Sequence, residues 1–106
     1  MRILLDECLP RRLKAELPEH EVRTVPEMRW SGLKNGALLH RLAGQFDAFL
    51  TVDRGLVHQQ NLKGIPFGIV MLAVLSNDID ALRPLMPKVR EALTVLQPGD
   101  VVRISA

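Results

Sequence analysis

Two aspartates of this 106-residue chain stand directly after apolar segments, where a carboxylate is well placed to do chemistry. Asp6 follows residues 2–5, and Asp53 follows the apolar residues 48–52. Apolar runs of this length that stop at a charge predict buried strands. Hard divalent cations take oxygen ligands, and Mg²⁺ is commonly held by one or two carboxylates with water and substrate phosphate. Asp6 and Asp53 meet that minimum requirement if their strands are neighbours.

Three further side chains are placed to support the two aspartates. Thr51 lies two residues before Asp53 on the same side of the strand, so its hydroxyl is expected to orient the Asp53 carboxylate. Glu7 comes next after Asp6, although its side chain can point to the other face of the strand end. Asn77 follows the fourth predicted strand and can reach the same end of the sheet as the two aspartates, although its position favours helix capping.

Basic residues are also expected near this edge. Arg11 and Arg12 follow the first strand, and Arg54 follows Asp53, so all three are candidates to contact the phosphates of a nucleic acid. The alternative is an ordinary solvated surface. Residues 58–60, in the segment after Asp53, are either the rim of a substrate site or a polar loop.

The hydrophobic pattern predicts alternating strands and helices. The predicted strands are residues 2–5, 20–25, 47–52, 67–72 and 101–104. The first predicted helix runs from Pro10 to Pro18, with an apolar stripe formed by Leu9, Leu13 and Leu17. The second runs from near Asn35 to Gly44, and the third is one turn around residues 57–61. The fourth runs from 85 to 96, after an irregular lead-in that contains Pro84 and Pro87.

This alternation predicts a single α/β domain over residues 1–106, with three α/β/α layers and a mostly parallel sheet of about five strands. Parallel crossovers are right-handed, so a reversal of winding after the second strand puts helices on both faces. The strand order then begins 2-1-3. The carboxyl ends of strands one and three flank the point where the winding reverses, which is where open α/β sheets place their sites. Asp6 and Asp53 are predicted to meet there.

Composition excludes several classes of protein. One cysteine, Cys8, rules out an internal disulfide and a zinc site built on several thiolates. No apolar run approaches the roughly 20 residues that cross a bilayer, and the first strand meets an acid too early for a secretory signal, so we expect a cytoplasmic protein with no membrane partner. The net charge of +2 is compatible with nucleic acid, and the 47% hydrophobic content permits a homodimer without requiring one.

Three short motifs occur in order along the chain: Leu-Leu-Asp-Glu-Cys-Leu-Pro at residues 4–10, Gly-Leu-Lys-Asn at 32–35 and Thr-Val-Asp-Arg at 51–54. Together with Ser-Asn at 76–77 and Pro-Gly-Asp-Val-Val at 98–102, they resemble the small bacterial PIN-like domains. These domains are compact relatives of the PIN ribonucleases, which include toxins of toxin–antitoxin pairs. The resemblance covers essentially the whole chain and implies a PIN-like fold.

The resemblance also implies an activity and its residues. PIN nucleases gather acids around one or two divalent metals, here expected to be Mg²⁺ or Mn²⁺, and cleave RNA with an activated water. Asp6 matches the first acid and Asp53 the acid of the threonine-x-aspartate motif, which makes both of them metal ligands and catalytic residues. Asn35 stands where relatives open a helix with another acid. It can offer a neutral oxygen to the metal, so weaker metal affinity is expected. The partners implied are RNA and a small antitoxin-type protein.

Two other interpretations remain open. The first is a catalytically silent PIN-like module that binds protein or nucleic acid, which Asn35 in place of an acid favours. The second is a phospho-acceptor domain of receiver type, which also places acids after strands one and three. A receiver domain further expects a lysine after a later strand, and none follows residues 71–73.

Overall fold

The computed structural model describes residues 1–59 and 61–106, in which the chain forms five β-strands, four α-helices and two short 3₁₀-helices. The strands are β1 (Arg2–Leu5), β2 (Glu21–Thr24), β3 (Ala48–Thr51), β4 (Gly68–Ala73) and β5 (Val101–Ser105). The α-helices are α1 (Asn35–Leu42), α2 (Arg54–Gln59), α3 (Ile79–Leu82) and α4 (Met86–Leu93), and the 3₁₀-helices are Arg11–Glu16 and Arg83–Leu85. No helix in these residues is long and apolar enough to cross a membrane.

The five strands form one parallel sheet in the order β2-β1-β3-β4-β5. The predicted α/β class and the predicted 2-1-3 start are therefore confirmed. β2 lies at one edge, as its alternating exposed and buried residues indicate. β5 lies at the other edge, parallel to β4.

Helices cover both faces of the sheet because successive strand residues point to opposite sides. One face is covered by the first 3₁₀-helix, α3 and α4, and its core includes Ile3, Leu5, Leu13, Leu50, Val70, Leu72, Leu82 and Val89. The other face is covered by α1 and α2, and its core includes Leu4, Trp30, Leu38, Leu42, Phe49, Leu56 and Ile69. These two apolar layers give the predicted three-layer arrangement.

The first predicted helix is a 3₁₀-helix. Leu9, Leu13 and Leu17 are buried as their spacing predicts, yet the segment is closed by bonds from the Leu13 N–H to the Pro10 carbonyl and from the Leu17 N–H to the Lys14 carbonyl. Both bonds span three residues, which defines the tighter helix. Prolines at 10 and 18 confine this helix to the short segment between them.

Two other helix boundaries differ from the prediction. α2 begins at Arg54 and not near residue 57, because Asp53 accepts the N–H of Gly55 and so supports the first turn. Gln60, which the predicted turn and rim both included, lies outside the described residues. α4 ends at Leu93, before the predicted residue 96. Leu96 packs directly on Gly68 and fills the space that a Cβ atom there would need.

Trp30 belongs to the core. Its side chain is 6% exposed, and its ring meets that of Phe46 edge to face at a centroid distance of 6.0 Å. The indole ring of Trp30, in the segment between β2 and α1, is therefore not available as a contact surface for a partner.

Candidate functional site

Asp6 and Asp53 are brought together by the pairing of β1 with β3. Leu5 is in register with Leu50, and the Asp6 N–H donates to the Leu50 carbonyl over 3.0 Å, so Asp6 continues β1 beside Thr51. The Thr51 hydroxyl donates to Oδ2 of Asp6 over 2.7 Å and accepts the N–H of Asp53 over 2.9 Å. One buried threonine thus links the two aspartates at the predicted edge of the sheet.

The role of Thr51 differs from the predicted one. Its hydroxyl was expected to orient the Asp53 carboxylate, whereas it donates to Asp6 and reaches Asp53 through the backbone. The reason is the sheet itself: the neighbouring strand places the Asp6 carboxylate against Thr51, while the chain turns away after the strand end. Spacing within one strand could not show this contact, which depends on the pairing.

Asp53 is held in place by the starts of two helices. Its Oδ1 atom accepts the N–H of Gly55 in α2 over 2.9 Å, and its Oδ2 atom accepts the side-chain N–H of Asn35 over 3.2 Å. Asn35 opens α1, so the predicted helix start brings it to the site. Its amide presents nitrogen, and not oxygen, to Asp53.

Burial is the main electrostatic influence on Asp6. The residue is 8% exposed, and this burial raises the pKa of its carboxyl above the ordinary value of 3.8. The hydrogen bonds from the Thr51 hydroxyl and from the Glu7 N–H oppose the rise by stabilising the anion, and the nearby charge of Asp53 adds to it. Asp6 therefore takes up a proton more readily than an exposed aspartate.

The raised pKa of Asp6 has a measurable consequence for stability. Between pH 3.8 and the raised value the native state holds more protons than the unfolded chain, so the free energy of unfolding falls as the pH rises through this window. Asp6→Asn has no carboxyl at this position, so its free energy of unfolding does not fall in this window for this reason. In EDTA at pH 7 we expect its melting temperature to exceed that of the parent chain, by about 4–8 °C for each 1 kcal/mol relieved.

Melting curves measured from pH 7 to pH 4 provide the control for this stability prediction. The difference in melting temperature between Asp6→Asn and the parent chain should shrink as the pH is lowered towards 3.8, where the parent carboxyl is protonated as well. A difference that stays constant from pH 7 to pH 4, or a variant that melts lower at every pH, would contradict the prediction.

Glu7 and Asn77 lie at this edge without side-chain contacts to either aspartate in the described part of the chain. Glu7 contacts Asp6 through its backbone N–H, which donates to Oδ1 over 2.8 Å, and its side chain is exposed. The Asn77 amide donates to the Cys8 carbonyl over 2.8 Å and so fixes the β4–α3 loop to the loop after β1. Capping of α3 is done by Asp78, which accepts the N–H of Asp80.

The predicted basic residues separate into two groups. Arg11 and Arg12 are exposed at the start of the first 3₁₀-helix, which packs on the face of the sheet opposite α1. No described hydrogen bond or ion pair connects them with the two aspartates. Arg54 is exposed at the start of α2, directly after Asp53.

Arg54 lines a pocket that the sequence did not predict. The pocket has a volume of about 370 Å³ and is lined by Arg54, His58, Met71, Val101 and Arg103. Arg103 is the residue that sequence reasoning missed. It is the charged residue of the segment 101–104, but its neighbours follow only once β5 is known to lie parallel beside β4.

The donor set at the edge consists of two carboxylates and one amide. Each of the four carboxylate oxygens of Asp6 and Asp53 accepts one described hydrogen bond and retains a second acceptor position. Among the described residues there is no group of three or more His, Cys, Asp and Glu side chains arranged to hold a metal ion.

No protein-family model, curated protein or solved structure matches the chain.

Proposed function

We propose that this protein is a divalent-metal-dependent ribonuclease of the PIN type. The observation that supports the proposal is the pair of carboxylates, Asp6 and Asp53, joined through Thr51 where β1 and β3 end. Two carboxylates with free acceptor positions suit Mg²⁺ or Mn²⁺, which keep several waters and accept substrate oxygens as further ligands. Asp6 and Asp53 would hold the ion, and the ion would supply activation of water and stabilisation of the charge that develops on the phosphodiester.

The chain's own residues perform the positioning in this proposal. Thr51 is fully buried and fixes the Asp6 carboxylate, while Gly55 and Asn35 fix that of Asp53. Both carboxylates are therefore oriented before any ligand binds, which lowers the cost of assembling the site. Arg54 follows Asp53 and is exposed, so its guanidinium is available to hold a phosphate of the RNA.

The direct test is cleavage of a labelled single-stranded RNA of mixed sequence with Mg²⁺ or Mn²⁺, beside the same reaction in EDTA. We expect cleavage with metal and none with chelator. Asp47→Asn is the matched control for the variants Asp6→Asn and Asp53→Asn. Asp47 precedes β3 at the amino ends of the strands, away from the two aspartates, where it accepts the N–H of Arg2. Absence of cleavage with both metals, together with no heat of metal binding in calorimetry, would overturn the ribonuclease proposal.

A second candidate function is a catalytically silent module that binds RNA. The observation that favours it is the Asn35 amide, which donates to Asp53 and so occupies one carboxylate oxygen with a neutral partner. This candidate predicts RNA binding that is the same in Mg²⁺ and in EDTA, with the RNA recovered intact. The ribonuclease proposal predicts shortened products in Mg²⁺.

A further inference from the structure

A pocket lies beside the two carboxylates, and the proposed chemistry leaves most of its lining without a role. Arg54 and His58 of α2 form one side, and Met71 of β4 with Val101 and Arg103 of β5 forms the floor and the other side. The helices that cover this face, α1 and α2, leave the β4–β5 end of the sheet open here. The pocket therefore combines cations with accessible apolar surface.

The strand register places this pocket next to the aspartates. Thr51, which binds Asp6, is in register with Met71, and Met71 is in register with Arg103. Register partners in neighbouring strands point to the same face and lie roughly 5 Å apart, so Arg103 is roughly 10 Å from Thr51 along the sheet. The pocket therefore lies on the same face of the sheet as the contact between Thr51 and Asp6, about two strands away.

The charges of the pocket indicate an anionic ligand. Arg54 and Arg103 are exposed, and the described ion pairs all involve other side chains. Guanidinium groups remain charged at any ordinary pH and match a phosphate with two parallel N–H donors. His58 adds a further hydrogen-bonding side chain on the same wall. None of the described residues that line the pocket is an acid, so a phosphate bound there would meet no like charge among them.

The apolar floor indicates more than a phosphate. Val101 is 40% exposed, whereas Met71 is buried at 8% exposed, so most of the apolar surface that the pocket opens to solvent belongs to Val101. A thioether makes favourable contacts with aromatic rings, and a guanidinium plane stacks on them. Single-stranded RNA offers this combination, because each nucleotide carries a phosphate and an unstacked base.

We propose that the pocket binds one nucleotide of single-stranded RNA, with its phosphate between Arg54 and Arg103 and its base on Met71 and Val101. The choice of RNA as ligand rests on the proposed function, whereas the place and the mode of binding rest on the pocket. Nucleic acid held there would extend from the carboxylates towards β5, which sets the direction in which the strand crosses the sheet.

The test is fluorescence anisotropy with a labelled single-stranded RNA of about 12 nucleotides, in EDTA so that binding is measured without cleavage. Arg103→Gln is expected to weaken binding about 10-fold and to reduce the slope of log K against log salt by about 0.7, the value for one lost phosphate contact with a single strand. Arg41→Gln is the matched control, because Arg41 is exposed in the last turn of α1, far from Asn35, and its loss changes the net charge equally.

A second variant tests the apolar floor. Val101→Ser is expected to weaken binding about 5-fold with the salt slope unchanged, because stacking of a base contributes without releasing counterions. Unlabelled duplex RNA of the same sequence should compete at least about 10-fold less well than the single strand, since paired bases are not free to enter the pocket. Circular dichroism of both variants checks that the fold is kept.

The outcomes separate this proposal from the proposed function. If the parent chain binds RNA and Arg103→Gln binds as tightly, or loses no more than Arg41→Gln, the pocket proposal fails and the ribonuclease proposal stands. Competition by an acidic peptide as strong as that by single-stranded RNA would also overturn it, in favour of a protein ligand. If the parent chain binds no RNA in EDTA, the pocket proposal fails, whereas the ribonuclease proposal is decided by cleavage with Mg²⁺ or Mn²⁺.

Discussion

Asp53→Asn should reduce metal-dependent cleavage of single-stranded RNA at least about 100-fold, and Asp6→Asn should do the same. A metal ligand in such a site supplies several kcal/mol of transition-state stabilisation, and about 1.36 kcal/mol is worth a factor of ten in rate. In Asp53→Asn the side-chain oxygen can still accept the Gly55 N–H that the carboxylate now accepts. The substitution therefore removes the charge while it keeps the support of α2.

Two further variants test whether the loss of cleavage comes from one shared site. The double variant with Asp6→Asn and Asp53→Asn should be no slower than the slower single variant by more than a small factor, because residues that hold one ion act as a unit. Asp47→Asn should cleave at the parent rate, since the hydrogen bond between Asp47 and Arg2 lies at the amino ends of the strands, away from the two aspartates. Cleavage at the parent rate by both single variants would identify a contaminating nuclease.

Sequence reasoning located the carboxylate pair because the relevant signals are local and strong. β1 and β3 are short, almost wholly buried strands. β1 ends directly before Asp6, and β3 ends at Thr51, two residues before Asp53. Alternation of strands and helices then limits the topology to a few choices, of which the order beginning 2-1-3 puts Asp6 and Asp53 at one edge. That order is the one observed.

The parts that escaped prediction depend on contacts between distant segments. β5 alternates exposed and buried residues as an edge strand does, and this pattern does not say which neighbour it pairs with or in which direction. Arg103 could therefore not be assigned to the site, although it lies two strands from Thr51. The Asn35 amide is oriented by a partner 18 residues away, so its donation to Asp53 was equally out of reach.

Asn35→Asp is expected to tighten Mn²⁺ binding about 100-fold and to raise the rate of RNA cleavage at low metal concentration. Unit charges about 4 Å apart interact by about 4 kcal/mol near a protein surface, and a divalent ion doubles this attraction. Most of that gain is offset by repulsion among the carboxylates and by desolvation, so a net gain of about 2.7 kcal/mol, or a factor of 100, is the realistic remainder.

The same substitution should lower stability when no metal is bound. At present the Asn35 amide donates to Oδ2 of Asp53 over 3.2 Å, and an aspartate there would replace this hydrogen bond by repulsion between like charges. We expect the melting temperature to fall in EDTA and to rise with Mn²⁺ by more than in the parent chain.

Gln97→Glu is the matched control for this change, because it also converts a side-chain amide to an acid. Gln97 is exposed in the turn before β5, at the amino ends of the strands and away from the aspartates. Calorimetric titration with Mn²⁺ measures affinity, and melting curves in EDTA and in Mn²⁺ measure the two stabilities. An equal gain in Mn²⁺ affinity in Gln97→Glu would show that the effect comes from net charge and not from the position of residue 35. An Asn35→Asp variant that binds Mn²⁺ no more tightly than the parent would contradict the prediction that an ion is held by Asp6 and Asp53 within reach of residue 35.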